Sequence, residues 1–431
     1  MKTKNFMKRI IPFSMIAAGL ILSACGNTND TTDSEEAGNS GDVTLDYMIW
    51  NASGKDGMDA IARAFEEENP GIKVNVQVTP WDQYWPKLEA AALGGSMPDL
   101  FVMHSQEVAK YTEGDVLLPL NDFIEEADID MSKYPEDISE IYLTNEDEQL
   151  AIPRDYDTIG LWYNKEIFDD AGIDYPDETW TWDTLLDTAL ELTDEENEIY
   201  GMLAPVNNQE GYYSFLYQND GYVLNEDKTE SGFRDPNTVE GMQWYVDLSL
   251  EHGVSPTAAQ FADNDRMVYF QSGRAAMGTF GSYQASTFVR NEYTAEHIDV
   301  APLPKGKTNA TIYNGTGNSI AADTDHPEEA LKFLGFLSSE EGQRIMGEHG
   351  TTMPSHEDAR DAYLDAYPQY NLEPVLIDQL DDAVIKPYSD KTKMWSDVEN
   401  DIILSVFSGE RTMEEAADDM VTGVENVLST E

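Results

Sequence analysis

Residues 43–50 read Val43-Thr44-Leu45-Asp46-Tyr47-Met48-Ile49-Trp50, a β-rich run with partial alternation of apolar and polar side chains. Apolar residues then recur at helical spacing until Asn69-Pro70-Gly71 stops the helix, and residues 72–78 alternate as a second strand. A helix over residues 83–93 and an apolar strand over residues 100–103 continue the series. Strand, helix, strand, helix, strand within about 60 residues predicts a parallel sheet of the α/β class.

Helix-start signals recur in the second half of the chain. Pro327 stands where a first helical residue is favoured, and two glutamates follow it in the first turn. Ser338 with Glu341, and Thr412 with Glu415, fit the spacing of capping boxes. These signals predict three further helices and carry no functional meaning.

The amino terminus has the layout of a secretory signal over residues 1–24. Basic residues precede an apolar stretch of about 13 residues, which is shorter than the roughly 20 that a membrane-spanning helix needs. Leu22-Ser23-Ala24-Cys25 resembles a bacterial lipobox, in which the cysteine sulfur is acylated with diacylglycerol and becomes the new amino terminus. Residues 25–41 form a predicted flexible acidic tether, because residues 26–41 contain no large apolar side chain.

Acidic residues greatly outnumber basic residues. The 431 residues include 26 Lys and Arg against 83 Asp and Glu, a formal net charge of −57 at pH 7. Nucleic acid is therefore excluded as a partner, since its phosphates call for a basic surface. With 41% hydrophobic and 10% aromatic residues, the chain can nevertheless build a core. We interpret the charge as a solvation property suited to a saline or alkaline exterior, between which composition does not distinguish.

No pattern of catalytic or metal-binding residues stands out. Because 83 of 431 residues are acidic, neighbouring carboxylates are expected by chance. The histidines show no metal-ligand spacing, and Gly315-Thr316-Gly317 lacks the rest of a nucleotide-binding motif. Cys25 is the only cysteine, which excludes disulfides, thiolate metal sites and thiol catalysis. The sequence therefore predicts no enzyme active site, no metal and no cofactor.

Aromatic residues follow two predicted strands at the point where each strand ends. Trp50 precedes Asn51-Ala52-Ser53-Gly54, and Trp81, Tyr84 and Trp85 follow the second strand. Ligands of α/β proteins collect at the carboxyl ends of strands. Aromatic faces beside amide and hydroxyl groups suit a sugar, which has apolar faces and a polar rim. Each ring taken alone fits a core position better, because most Trp residues are largely buried, but their repeated placement after strand ends favours a carbohydrate site.

Several short segments of the chain occur in a distinctive order. They are the lipobox and tether, Trp50-Asn51, Phe65-Glu66-Glu67-Glu68-Asn69-Pro70-Gly71-Ile72-Lys73-Val74, Met97-Pro98-Asp99-Leu100, Ile152-Pro153, Leu161-Trp162-Tyr163-Asn164-Lys165, Gly273-Arg274-Ala275-Ala276-Met277-Gly278 and Ala301-Pro302-Leu303-Pro304. No piece is specific alone, but their order resembles the extracellular solute-binding proteins of sugar ABC importers, the family that contains maltose-binding protein. The resemblance covers essentially the whole mature chain.

This resemblance implies an α/β fold of two lobes, the type II periplasmic-binding-protein-like fold, in which hinge crossings let the lobes close on a ligand. Carried onto this chain, lobe one comprises residues 42–153 plus 308–350, and lobe two comprises residues 154–305 plus 355–431. Crossings are expected near Pro153-Arg154-Asp155, Leu303-Pro304-Lys305 and Met353-Pro354-Ser355.

The resemblance also implies ligand contacts on both lobes. On lobe one these are Trp50, Asn51, Ser53, Trp81, His104, Ser105, Tyr313, Asn314 and Gly315. On lobe two these are Arg154, Tyr156, Asp157, Gly281, Ser282, Tyr283 and Trp395. The Trp and Tyr rings are expected to stack on pyranose faces, Asp157 to accept from sugar hydroxyls, and Asn51, Ser53 and His104 to act as neutral hydrogen-bonding groups. Tyr212 and Tyr213 are further candidates whose spacing fits packing equally well.

The sequence thus predicts a lipid-anchored, extracellular, non-catalytic binding component of an ABC importer. It is expected to be a monomer, to capture a sugar or oligosaccharide by hinge closure, to deliver it to the membrane permease, and to touch the membrane only through its lipid anchor. His104-Ser105-Gln106 departs from maltose-binding protein, which has charged sugar contacts there. The particular sugar, its chain length and the permease therefore stay open.

Two alternative functions stay open beside this prediction. One is a lipid-anchored glycan-cleaving enzyme, whose aromatic residues serve the same stacking. The other is a binding protein of the same fold for a polyamine or a peptide. Asp155 and Asp157 supply acids for a polyamine, and Arg154 is the candidate cation for a peptide carboxylate.

Overall fold

The structure is a computed structural model that describes residues 43–112 and 114–430. The predicted signal peptide, Cys25 and the predicted tether lie outside the described residues. Within the described part, no helix combines the length and the apolar character needed to cross a bilayer.

Short strands alternate with helices along the described chain. The strands are β1 Val43–Ile49, β2 Ile72–Val78, β3 Leu100–His104, β4 Ile152–Asn164, β5 Tyr200–Leu203, β6 Ala275–Gly281, β7 Ile298–Ala301, β8 Thr311–Ile320, β9 Met353–Pro354 and β10 Ala383–Ile385. The helices are α1 Lys55–Glu68, α2 Trp81–Gly94, α3 Val108–Thr112, α4 Asn121–Glu126, α5 Glu136–Ile141, α6 Lys165–Ala171, α7 Trp182–Leu192, α8 Tyr213–Gln218, α9 Pro236–Leu250, α10 Ala258–Asp263, α11 Arg266–Gln271, α12 Ala285–Phe288, α13 Glu292–His297, α14 Pro327–Ser338, α15 Glu340–Glu348, α16 Arg360–Ala366, α17 Glu373–Leu376, α18 Thr392–Phe407 and α19 Met413–Leu428. A π-helical turn, Asn208–Tyr212, stands directly before α8.

The first three strands confirm the predicted parallel sheet. β1 pairs in parallel with β2 along its whole length and with β3 on its other side. α1 buries Met58, Ile61 and Phe65, the residues whose spacing predicts the helix. Because parallel strands run in one direction, the residues that follow β1, β2 and β3 meet at one edge of the sheet.

β4 and β8 connect two regions of a mixed sheet whose strand order is β2-β1-β3-β8-β4-β6-β5. Residues 152–158 of β4 pair antiparallel with β8, whereas residues 159–164 pair with β6 and β7. The change of partner therefore falls between Thr158 and Ile159, a few residues beyond the predicted first crossing. The residue ranges given for the two lobes stay a prediction.

β4 is buried along nearly its whole length although it carries three charged residues. Arg154 and Asp155 are buried, and Asp157 is half-buried. Burying a charge is costly unless it finds a partner, so charged residues in a central strand point to a site built around them.

Two of the three helix-start predictions are confirmed. α14 begins at Pro327, and α19 begins with the capping box of Thr412 and Glu415. The prediction for α15 is wrong by one residue, because Ser339 is the cap and its hydroxyl accepts from the backbone N–H of Gly342. Ser338 is instead the buried last residue of α14.

Candidate ligand-binding site

A cavity of about 550 Å³ lies at the edge where β1, β2 and β3 end. Both sheet regions contribute to its wall. Its lining residues are Trp50, Asn51, Trp81, His104, Gln106, Arg154, Asp155, Asp157, Val206, Asn207, Asn208, Gln209, Glu210, Arg266, Tyr283, Thr316, Thr352, Lys386 and Asn400. Rings that follow the first strands therefore face charged and amide side chains from the rest of the chain.

Aromatic rings form one part of the cavity wall. Trp50 meets Trp81 and Tyr84 edge-on, each with 5.1 Å between ring centroids. The rings of Trp81 and His104 meet edge-on at 5.2 Å. These contacts hold the rings at fixed angles, as edge-to-face pairs do. Trp81 remains 40% exposed, so its ring has free surface to offer a ligand.

His104 contributes a neutral imidazole to this wall. Burial, with the nearby Lys386 ammonium as a second cause, holds the pKa of His104 well below its usual value. Its Nδ1 accepts from the backbone N–H of Gln106 at 3.2 Å, and its Nε2 lies 3.2 Å from the amide nitrogen of Asn314. The ring is therefore a positioned hydrogen-bonding group rather than a charge.

Two ion pairs supply four of the cavity's charges. Arg154 donates to Asp155, whose Oδ1 also accepts from the backbone N–H of Thr316 at 3.0 Å and from its hydroxyl at 2.5 Å. Arg266 donates to Oε2 of Glu210. Each charge thus has the partner that makes its burial tolerable.

Gln209 forms hydrogen bonds with both Asp157 and Lys386, the other two charged residues of the cavity. Its Nε2 donates to Oδ1 of Asp157 at 3.0 Å, and its Oε1 accepts from Nζ of Lys386 at 3.0 Å. Burial lowers the pKa of Lys386 to about 8. Burial, reinforced by the carboxylates of Asp155 and Glu210, raises the pKa of Asp157 well above its usual range.

The cavity balances its charges although the chain as a whole does not. Counted at formal charges, its cations are Arg154, Arg266 and Lys386, and its anions are Asp155, Asp157 and Glu210, in a chain of formal net charge −57. Paired charges and amides present donors and acceptors with no large excess of formal charge of either sign, which suits a neutral ligand rich in hydroxyls. Among residues 43–112 and 114–430, no group of three His, Cys, Asp or Glu side chains is placed to hold a metal ion.

The structure brings seven of the sixteen predicted site residues to the cavity. These are Trp50, Asn51, Trp81, His104, Arg154, Asp157 and Tyr283. The others, which do not line it, are Ser53, Ser105, Tyr156, Gly281, Ser282, Tyr313, Asn314, Gly315 and Trp395. Two of these support lining residues, since Ser53 donates to Oδ1 of Asn51 at 2.7 Å and Asn314 contacts His104.

The structure corrects the stacking role predicted for three of the aromatic rings. Trp395 is 1% exposed within a hydrophobic cluster, and its Nε1 donates to the hydroxyl of Ser389 at 3.0 Å. Tyr156 and Tyr313 are also buried, and their rings pack together at 5.6 Å. These rings therefore expose almost no surface on which a ligand could stack.

Tyr212 and Tyr213, for which the sequence left both ligand contact and packing open, are packed in the core. Both are fully buried, and both hydroxyls donate to the carboxylate of Glu399. Neither ring lines the cavity.

Twelve cavity residues were missing from the predicted contacts. They are Gln106, Asp155, Val206, Asn207, Asn208, Gln209, Glu210, Arg266, Thr316, Thr352, Lys386 and Asn400. The run Asn207-Asn208-Gln209-Glu210 held a usable signal, because amide side chains shortly after a strand resemble those that follow Trp50. Arg266, Lys386 and Asn400 held none, since they reach the cavity from distant segments.

Known proteins resemble this chain along most of its length. The family model for bacterial extracellular solute-binding proteins matches residues 51–344. The maltooligosaccharide ABC transporter solute-binding lipoprotein of Streptococcus pneumoniae is 22% identical over an alignment of 445 residues, which covers 99% of this chain and 98% of that protein.

Two solved structures share the fold. An ABC substrate-binding protein from Listeria monocytogenes, in complex with cycloalternan, has a TM-score of 0.83 and 29% identity over 90% of this chain and 100% of that one. An ABC transporter solute-binding protein from Thermotoga lettingae, bound with α-D-tagatose, has a TM-score of 0.78 and 26% identity over the same shares. These likenesses confirm the predicted α/β fold of two lobes.

Proposed function

The chain belongs to the family of bacterial extracellular solute-binding proteins, and we propose that it captures a sugar or oligosaccharide for an ABC importer. The bound ligand is handed to the importer's membrane permease. The protein binds and releases its ligand without changing it. Support comes from relatives that are themselves substrate-binding proteins of ABC transporters.

The observation that carries this proposal is the combination of exposed aromatic surface and balanced charge in one cavity. Trp50 and Trp81 supply apolar faces, and the charges beside them cancel. A sugar presents apolar C–H faces and a neutral rim of hydroxyls, so both halves of the cavity match it. The same balance favours a neutral ligand over a polyamine, whose ammonium groups need uncompensated carboxylates.

We also propose that two lobes close on the ligand. Lobe one comprises residues 42–153 plus 308–350, and lobe two comprises residues 154–305 plus 355–431. Contacts between the two ranges support it. The hydroxyls of Ser53 and Ser286 lie 2.9 Å apart, and Arg290 donates to the carbonyl oxygen of Ser53 at 2.7 Å. A ligand that contacts both ranges stabilises the closed state by its differential affinity for that state.

A thermal-shift screen tests the ligand class. We expect maltotriose, cycloalternan, tagatose or another neutral sugar to raise Tm by about 3 °C at a hundredfold excess over Kd. Spermidine and a tripeptide serve as the charged comparisons. A rise with either of them, and with no sugar, would contradict the proposal. Release of reducing ends from an oligosaccharide would instead identify the glycan-cleaving enzyme.

Lipid anchoring on the extracellular side, with the protein as a monomer, is also proposed. The relative from Streptococcus pneumoniae is named a lipoprotein, which supports the lipobox prediction. We expect Cys25→Ala to release the protein into the medium or to leave it unprocessed, because the variant lacks the sulfur that is acylated. Cell fractionation and mass measurement check this. A variant that stayed in the membrane at its normal processed mass would refute the anchor.

A further inference from the structure

Glu399 is a fully buried carboxylate on α18, and it directly precedes Asn400, which lines the cavity. Its Oε1 accepts from the hydroxyl of Tyr212 at 2.8 Å, and its Oε2 accepts from the hydroxyl of Tyr213 at 2.6 Å. The side chain of Asn208 also donates to it and stabilises its charged form. Burying a carboxylate in a core is costly, so the presence of Glu399 at this position calls for an explanation.

The three contacts bracket the π turn Asn208–Tyr212. They involve its first residue, its last residue and Tyr213, which opens α8. Gly211, inside the turn, has φ −133° and ψ −116°, which is not helical, so regular backbone bonding alone does not define the turn. Irregular turns of this kind occur frequently at functional sites.

The middle of the turn carries side chains into the cavity. Gln209 contacts Asp157 and Lys386, and Glu210 contacts Arg266. A shift of the turn would therefore displace several cavity groups together. Because sugar recognition depends on hydrogen-bond geometry, such a shift weakens binding without removing any group from the cavity.

We propose that Glu399 is a positioning residue for the sugar site: by accepting both tyrosine hydroxyls it fixes the π turn that carries Gln209 and Glu210. That the ligand is a sugar rests on the proposed function, whereas the role of Glu399 in holding the π turn does not depend on it.

Hydrogen exchange of the ligand-free protein tests the placement. Glu399→Gln keeps the side-chain volume but replaces one acceptor oxygen by an amide donor, and Tyr212→Phe removes one hydroxyl. We expect each variant to lower the protection factors of the backbone amides of residues 208–213 at least tenfold. Tyr134→Phe is the matched control, because its buried hydroxyl donates to the carbonyl oxygen of Ser338 in a distant part of the fold.

Lowering the pH provides a second test of the role of Glu399. If this side chain only filled space in the core, its protonation would leave the hydrogen-exchange protection of the turn unchanged. Burial raises the pKa of Glu399 to about 7. Protonation turns one acceptor oxygen into a donor, so protection of residues 208–213 is expected to fall more between pH 7.5 and 5.5 in the wild type than in Glu399→Gln. Asp157, whose pKa is also raised and which accepts from Gln209 of the turn, is present in both proteins and cancels in this comparison. Lys386 and Tyr212, Tyr213 and Tyr217 also interact with this carboxylate. In this pH window the tyrosines stay neutral and Lys386 stays mostly charged.

Isothermal titration with maltotriose connects the placement to binding. We expect a tenfold weaker Kd for Glu399→Gln and no change for Tyr134→Phe. Unchanged protection in Glu399→Gln and Tyr212→Phe, or an equal loss across the whole chain, would overturn the proposal. If wild-type protein does not bind maltotriose, the exchange data still decide the role of Glu399, and only the ligand assignment fails. Should Glu399→Gln not fold, Tyr212→Phe carries the test.

Discussion

Arg266→Ala is expected to lower the free energy of unfolding by about 3 to 5 kcal/mol. The side chains of Arg266 and Glu210 are 14% and 3% exposed, so removal of the guanidinium leaves a carboxylate buried without its cation. Glu210 also accepts from the backbone N–H of Gly281 at 2.7 Å, which keeps the carboxylate from turning out to solvent. Urea denaturation followed by circular dichroism measures the loss.

Two controls separate buried charge from lost packing. The double variant Arg266→Met with Glu210→Gln is expected to recover most of the stability, because it buries no unpaired charge. Arg234→Ala breaks an exposed pair with Asp418 and is expected to cost less than about 1 kcal/mol. If Arg266→Ala cost no more than Arg234→Ala, the buried pair would have no special weight in this fold.

Trp81→Ala is expected to weaken sugar binding about 30-fold, equivalent to about 2 kcal/mol. Trp81 lines the cavity and retains 40% exposure, so the variant removes free aromatic surface while burying no new polar group. Folding is expected to survive for the same reason. Isothermal titration with the sugar that gives the largest thermal shift measures the change.

Leu93→Ala is the matched control for Trp81→Ala. Both residues lie on α2, but Leu93 is 87% exposed and does not line the cavity. It is expected to leave Kd unchanged. Equal effects of the two variants, or an unchanged Kd in Trp81→Ala, would remove Trp81 from the binding surface and with it the proposed wall of the cavity.

Features carried by neighbouring residues were predictable from the sequence. β1 and β2 lie side by side in the sheet, and α1 buries one face. Burial of one face of an element leaves a periodic pattern of apolar residues within that element, so the pattern can be read from a short stretch of sequence. The positions of Trp50 and Trp81 at the edge of the sheet were predictable for a related reason. Parallel strands bring their carboxyl ends to one edge, so residues directly after a strand are placed by the strand itself.

Several residues that were predicted from family position do not line the cavity. Trp395 and Tyr313 were expected to face the ligand, yet both are packed in the core. An aromatic residue has the same composition and hydropathy in a core as at a binding surface. Burial depends on what packs against the ring, and that information lies elsewhere in the chain.

The sequence by itself determined the α/β class, the first parallel strands, the family and the aromatic edge of the cavity. Only the tertiary structure decided how the charges are paired. Glu210 meets Arg266 across 56 positions, and Glu399 meets Tyr212 across 187. Local periodicity reports which face of an element is buried, whereas the choice of partner for a buried charge depends on how remote segments are brought together, and no spacing within one segment encodes it.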